Sequence, residues 1–342
     1  MKILIVKLSA LGDVVQALAV LPALKAGLPQ ARLYWAVEEA SAELLLGHPL
    51  LERVYISKRR TWLSAFKKKH FLSTLREINF FLRDLREEYF DVILDLQGLL
   101  KSGLLVALAK GKRRIGFANH REGSTLPLTQ KLSPYEPERH AVERYLDAAL
   151  YLGGKKPSPV SFPLPPLPDP EDLREKFDLR GDLAVFIPRA RWQTKEWTQE
   201  GWAELAHLVQ EAFGLEIVLV GGVGDRSYVA PILEKAPFVR SLCGQTSILE
   251  LAGLLKLARL IVTVDTGPMH LAVAVGKRVV ALFGPTAPWR TGPFGQGHRV
   301  VKLDLPCSPC FKKKCPEPLC LKGLTPERVF QEVAELMING GS

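Results

Sequence analysis

The sequence predicts an α/β protein built from two doubly wound parallel sheets, and three observations carry that prediction. Short apolar, β-branched runs alternate with helix-period segments in both halves of the chain. That is the pattern of parallel strands buried on both faces and covered by crossover helices. Residues 157–170 hold seven prolines in fourteen positions, too stiff and too poor in N–H donors for a core element, and they divide the alternation in two. At 342 residues the chain is long for one core and comfortable for two. The expected organisation is a first lobe over 1–155, a linker over 156–172 and a second lobe over 173–342, with the last helix free to pack back on the first lobe.

In the first lobe, residues 2–7 read as a strand and 14–26 as a helix with apolar residues at helical spacing. Residues 33–37 and 53–56 read as strands with a short helix between them. An amphipathic helix over 71–88 follows, then a strand over 91–94, a helix over 99–110, a strand over 113–117 and a helix over 140–152. The second lobe opens with a strand over 183–187, a helix over 198–213, a strand over 215–220 and a helix from about 226. Ser247 and Glu250 have capping-box spacing and start a helix that runs to 259. A last helix covers 326–338.

The stretch 260–285 organises the second lobe. Residues 260–264 form a continuous apolar run, and Asp265-Thr266-Gly267-Pro268 breaks it. Thr266 can cap a helix, Pro268 suits its first turn, Gly276 can end it, and 278–283 reads as the next buried strand. Such a turn aims backbone N–H groups from the carboxyl edge of a sheet, where anions bind in open α/β folds. The same residues also fit a plain strand–turn–helix joint. Residues 7–13 make the equivalent joint in the first lobe. They lack the G-x-G-x-x-G spacing of a dinucleotide turn, which argues against a nicotinamide enzyme. Gly12 permits the tight turn, and Asp13 at the helix start is either an ordinary cap or a general base.

The chain is 47% hydrophobic and 24% charged, with a formal charge of +10, so a soluble protein with an anionic partner is expected. No apolar run has membrane-spanning length. Residues 1–25 imitate a signal peptide, but Lys7 and Asp13 interrupt the apolar segment. A cytoplasmic location follows, in loose contact with a membrane. Nucleic-acid binding calls for basic residues interleaved with stacking aromatics or a recognised module, and neither occurs. Between Glu52 and Glu77 there is no acidic residue, while Lys58, Arg59, Arg60, Lys67, Lys68, Lys69 and Arg76 occur. Lys67–Lys69 reads as a solvated face, whereas Arg59-Arg60-Thr61-Trp62 offers planar forks for carboxylate or phosphate beside an apolar wall.

Residues 7–13, Asp95-Leu-Gln-Gly-Leu-Leu-Lys101-Ser, His140-Ala-Val-Glu-Arg144, Lys195-Glu-Trp197 and Val264-Asp-Thr-Gly-Pro-Met-His270 together resemble the ADP-heptose:lipopolysaccharide heptosyltransferases, glycosyltransferase family 9. The likeness runs in one order from residue 1 to about 290. The first half is most like the heptosyltransferase I branch, including Val37-Glu38-Glu39 and Arg59-Arg60. The resemblance implies a GT-B fold, two Rossmann-like lobes facing a cleft, and inversion at the anomeric carbon. It implies Asp13 as the base. It implies that Lys195 and Asp265 contact ADP-heptose, with Thr266, Gly267 and His270 close by, and that Arg60, Lys101, Arg121, His140 and Arg144 line the side taking Kdo-lipid A. A further donor carboxylate falls nearest Asp225. For His270 a partly buried helix residue is the plainer alternative. The chain departs from heptosyltransferase I at 189–192, where Ala190 and Arg191 replace neighbouring threonines.

No D-x-D pair occurs, so a carboxylate-held cation on the diphosphate is not suggested. No cofactor is expected, and the leaving diphosphate would meet backbone N–H groups, a helix dipole and Lys195. Cys307, Cys310, Cys315 and Cys320 crowd into fourteen residues. They are candidates for a structural metal, reduced thiols or a disulfide pair, and nothing in the sequence brings them near the chemistry. Lone Cys243 reads as core. The leading expectation is therefore an inverting, metal-independent transferase acting on Kdo-lipid A at an anionic inner-membrane surface. Transfer to a later acceptor, in the manner of heptosyltransferase II, and a different sugar donor are the near alternatives. A non-catalytic nucleotide- or nucleic-acid-binding protein with a cysteine knuckle is the rival from another class.

Overall fold

The computed structural model describes residues 1–69 and 71–339. The chain divides into two compact units, Met1–Pro166 and Leu167–Ser342, the boundary falling inside the proline-rich stretch.

Unit 1 contains β1 (Lys2–Val6), α1 (Leu11–Ala17), α2 (Val20–Gly27), β2 (Arg32–Glu38), β3 (Arg53–Ser57), α3 (Arg59–Lys67), α4 (Phe71–Leu85), β4 (Phe90–Asp95), α5 (Leu100–Leu108), β5 (Gly111–Phe117), β6 (Gln130–Leu132) and α6 (Ala141–Tyr151). Its six strands pair in the order β3-β2-β1-β4-β5-β6, all parallel. Ile3, Leu4, Ile5 and Val6 of the central strand are wholly buried, which is why β1 reads as an unbroken apolar run rather than an alternating one. Tyr34, Tyr55 and Phe90 stack edge and face beneath the sheet.

Unit 2 repeats the plan. It runs α7 (Pro170–Lys176), β7 (Leu183–Ile187), α8 (Gln199–Phe213), β8 (Glu216–Leu219), α9 (Arg226–Lys235), β9 (Arg240–Ser241), α10 (Ile248–Leu257), β10 (Leu260–Val264), α11 (Gly267–Ala274), β11 (Val280–Leu282), α12 (Pro288–Thr291), β12 (Arg299–Val301), α13 (Leu319–Lys322) and α14 (Pro326–Asn339). The order β12-β11-β10-β7-β8-β9 is again parallel throughout. In each unit the direction of winding reverses between two adjacent strands: β1 and β4 in unit 1, β7 and β10 in unit 2. The loops leaving those strands are where an open α/β sheet holds its ligands.

Several expectations are corrected. The helix expected over 14–26 is two helices, broken at Leu18 and Ala19. The basic run after β3, assigned no element in the sequence, is helical, with Trp62 packed on Phe81 at 5.5 Å and Phe66 on Phe71 at 5.9 Å. The short helix expected between β2 and β3 is present, as a 3₁₀ helix over Glu39–Leu44. The linker is shorter than expected, since Asp169 accepts the Glu171 N–H at 2.8 Å and caps α7, with Pro170 in its first turn. α14 packs on α8 and on β10–β12 of its own unit. The Ser247–Glu250 capping box forms as expected, with bonds of 3.2 and 2.9 Å.

Candidate active site

In unit 1 the loops after β1 and β4 are tied to each other. The Gln97 side-chain oxygen accepts the N–H groups of Leu8 and Ser9 at 3.1 and 2.9 Å. Asp95, fully buried, accepts from Gln97 N–H at 2.8 Å, Gly98 N–H at 3.1 Å and the Ser102 hydroxyl at 3.0 Å. Burial nevertheless dominates these bonds and raises the Asp95 pKa. Gly98 has φ +65°, and an added Cβ would lie 2.3 Å from the His120 ring, so both backbone and space demand glycine. His120 is held 4.0 Å from Asp95. Burial, with help from Lys7, lowers its pKa to about 4, which leaves a neutral imidazole at neutral pH.

Asp13 is the third residue of α1, not its cap. Its carboxylate accepts the Ala10 N–H at 3.1 Å, so it closes the helix start while 42% of the side chain stays exposed. The ordinary and the chemical readings of Asp13 are therefore compatible. Lys7 lies 4.0 Å away, buried under the Tyr145 ring at 4.9 Å. Burial opposes its charge, but Asp13, Tyr145 and Asp95 together outweigh that cost and raise the Lys7 pKa. Lys7, Arg121 and Arg144 line a cavity of about 80 Å³ with His120, Tyr135 and Tyr145, and no lining side chain is acidic. Arg144 lies over the Tyr135 ring at 4.8 Å, and its buried Nε has no hydrogen-bond partner. Three cations around a small space, one with an unused donor, make a receptor for a carboxylate or phosphate group.

Arg60 and Lys101 come together elsewhere, on Glu38. This buried carboxylate meets Lys101 at 2.9 Å, Arg59 at 3.1 Å and Arg60 at 3.5 Å. Burial works to raise its pKa, yet the Lys101 and Arg59 contacts prevail and lower it. Lys101 also bonds the Ser9 hydroxyl, bringing this cluster to the turn that carries Asp13. His140 is not part of the cavity lining. Its Nδ1 accepts the Val142 N–H at 3.2 Å and caps α6.

In unit 2 the loop after β7 meets the turn after β10. Lys195 donates to Asp265 at 2.6 Å, and the Thr286 hydroxyl donates to the same carboxylate oxygen at 2.6 Å. Lys195 and Asp265 thus hold each other in this structure. Thr266 occupies the cap position of α11, but its hydroxyl makes no capping bond. The first N–H groups of a helix lack intrahelical partners, and with Pro268 at the second position the Thr266–Gly267 amides carry the positive end of the dipole. His270 is buried in the first turns of α11. Asp225 is engaged on both oxygens, by Gly222 N–H at 2.7 Å and by Arg189 at 3.2 Å. Arg189 also pairs with Glu196 at 2.5 Å and lies over Tyr228 at 4.6 Å. Arg189, Glu196 and Tyr228 face a second pocket of about 680 Å³.

The cysteine segment lies beside this loop, contrary to the expectation that nothing brought it near. The Thr194 hydroxyl donates to the Lys312 carbonyl at 2.8 Å, and the Trp192 ring is approached by Lys195 at 4.6 Å and by Lys313 at 5.3 Å. All five cysteines are free thiols, so no disulfide pair forms. Among the described residues no three His, Cys, Asp or Glu side chains are arranged to hold a metal ion. Cys320 is buried, and burial followed by the neighbouring thiols raises its pKa.

Lys7, Glu38 and Arg189 lie in stretches the sequence singled out, but none was given a role in the site. Each is a charged residue closing or following an apolar strand run at the carboxyl edge, and that is the signal that could have found them.

The sequence profile described as glycosyltransferase family 9 (heptosyltransferase) matches residues 79–321. Lipopolysaccharide heptosyltransferase 1 of Pseudomonas aeruginosa is 31% identical over 99% of this chain and 98% of its own. Among solved structures, the E. coli heptosyltransferase WaaC bound to ADP superposes with a TM-score of 0.79 at 28% identity, covering 98% of this chain and 100% of that one. The same enzyme with ADP-2-deoxy-2-fluoro heptose gives the same score. E. coli ADP-heptose lps heptosyltransferase II gives 0.80 at 25% identity over both full chains. Two parallel six-stranded α/β sheets with the 31% identity over the whole length leave one conclusion: the chain belongs to glycosyltransferase family 9, the heptosyltransferases.

Proposed function

We propose that the protein is an inverting heptosyltransferase that moves L-glycero-D-manno-heptose from ADP-heptose to the Kdo region of lipid A during lipopolysaccharide inner-core assembly, without a divalent metal. The observation that carries this reading is the exposed Asp13 carboxylate beside a cation-lined cavity at the winding reversal of unit 1. A sugar carboxylate on the acceptor fits the cavity in charge and in its need for planar, two-pronged donors. Seated there, it brings a neighbouring hydroxyl to Asp13. The hydroxyl oxygen bonds to the anomeric carbon as its proton passes to Asp13, and the bond from that carbon to the β-phosphate oxygen breaks, releasing ADP. Unit 2 takes the donor. Lys195 turns from Asp265 to the diphosphate, the Thr266 and Gly267 amides receive the departing charge, and no carboxylate-held cation is needed.

The acceptor is anchored in a bilayer, so the protein works as a peripheral protein on the cytoplasmic face of the inner membrane. Transfer to an already heptosylated acceptor is the second reading, supported by the near-equal superposition on both solved heptosyltransferase types, with TM-scores of 0.79 and 0.80. ADP release from ADP-heptose, measured with Kdo-lipid A and with its heptosylated product as acceptors, distinguishes the two. Turnover on the first and unchanged rates in EDTA are expected. Release on neither acceptor sinks the proposal.

A further inference from the structure

We infer that the α3–α4 hairpin is the surface by which this protein docks on an anionic lipid bilayer. α3 buries none of its residues, and α4 buries only Thr74 and Leu85. One side of α4 is held inward by the Trp62–Phe81 contact, the Trp62 indole bond to Glu77 at 3.0 Å and the Arg53–Asp84 pair. The opposite side carries Leu72, Arg76, Phe80 and Arg83, spaced by four, four and three, with Leu75 alongside. Leu72 is 77% exposed and Phe80 76%. A solvated helix face is ordinarily polar, so a stripe alternating large apolar side chains with arginines is built for a surface that is both oily and negative.

Charge points the same way. Lys67, Lys68 and Lys69 are exposed at the end of α3, and none of them, nor Arg76 or Arg83, forms an ion pair among the described residues. Among the described residues no helix is long and apolar enough to cross a membrane, so the helix would lie in the interfacial plane with its lysines at headgroup level. A second copy of the chain is a poor occupant. A two-fold contact would set this unpaired cationic stripe against itself, and like charges brought face to face repel.

This inference deepens the peripheral-membrane part of the proposed function, and its readout needs no transfer. The full-length protein is sedimented with vesicles of phosphatidylcholine alone and of phosphatidylcholine with phosphatidylglycerol. It is expected to follow only the anionic vesicles, and to be released by salt. Lys67→Gln/Lys68→Gln/Lys69→Gln should weaken partitioning by about 100-fold, at roughly fivefold per lost charge. Leu72→Ser/Phe80→Ser should lose binding while far-UV circular dichroism and melting stay as in the wild type. Both variants should keep wild-type ADP release with a soluble, deacylated acceptor, which reads the transfer reaction apart from docking. The inference is overturned if the wild type ignores anionic vesicles, if both variants bind as the wild type does, or if the serine variant instead converts a dimer to a monomer in sedimentation velocity.

Discussion

Replacing Lys195 by methionine separates the structural and the ligand-binding roles of the Lys195–Asp265 pair. At 2.6 Å and an effective dielectric of about 20, the attraction is about 6 kcal/mol before desolvation. Removing one partner of a buried pair costs about 3–5 kcal/mol, because the other charge is left uncompensated. Here the side chains are 17% and 7% exposed, and Thr286 still donates to Asp265 at 2.6 Å. The loss should therefore be about 2–3 kcal/mol. For a unit of this size that is a fall in melting temperature of roughly 5–10 °C. Adding Asp265→Asn removes the orphaned charge, so the double variant should recover most of that stability. On the proposed donor reading it should not recover ADP affinity, because the cation assigned there to the diphosphate is gone. Urea denaturation and calorimetric titration with ADP read the two effects separately. If the double variant is as unstable as the single one, the pair is not what stabilises Asp265. If it binds ADP as the wild type does, Lys195 is not the diphosphate's cation.

Further outcomes follow from the unit 1 site. His120 has a pKa near 4 in the fold against 6.5 free, so the unfolded chain binds the extra proton first. Stability from this group is full above pH 6.5 and falls by about 3 kcal/mol as pH drops to 4. Asp95, whose pKa is raised, protonates more readily in the fold and acts in the opposite sense as pH falls. The test is the difference between wild type and His120→Asn in urea melts across that window, which should flatten in the variant; parallel curves would contradict it. Gly98→Ala must place a Cβ 2.3 Å from the His120 ring at φ +65°. It should lose at least about 2 kcal/mol, and a variant that melts like the wild type would contradict that geometry.

How much of this was legible depended on burial. Residues 183–187 and 260–264 were bounded in the sequence as they are in the structure, because a strand covered on both faces must be apolar at every position. β6, β9 and β12 went unread, since two or three residues at a sheet edge carry no run. α3 was hidden by its charge: Arg59, Arg60 and Lys67 mark it as a basic run, and only the tertiary contact of Trp62 with Phe81 reveals why it is helical.

Of the residues proposed for the site, Asp265 was found from the strand it follows, and Asp13 and Lys195 from the segments that follow β1 and β7. Their partners were not. Lys7 and Asp13 are joined across a turn, Glu38 gathers three cations from two elements, α3 and α5, and residues 312–313 reach the β7 loop across more than 110 positions of chain. Such contacts are set by the winding of the sheets, which no local pattern records. The cysteine spacing left a metal, reduced thiols and a disulfide pair open; among the described residues the thiols are free and form no metal-holding group, and the segment is pinned to Pro285 and Lys195's loop through its backbone.

The most direct measurement is ADP release from ADP-heptose with Kdo-lipid A, wild type against Asp13→Asn. Asparagine can keep the bond to Ala10 N–H but cannot take a proton, so turnover should fall by about 10²–10⁴-fold while ADP affinity and melting stay near wild type. An Asp13→Asn protein that transfers heptose at the wild-type rate would contradict the account.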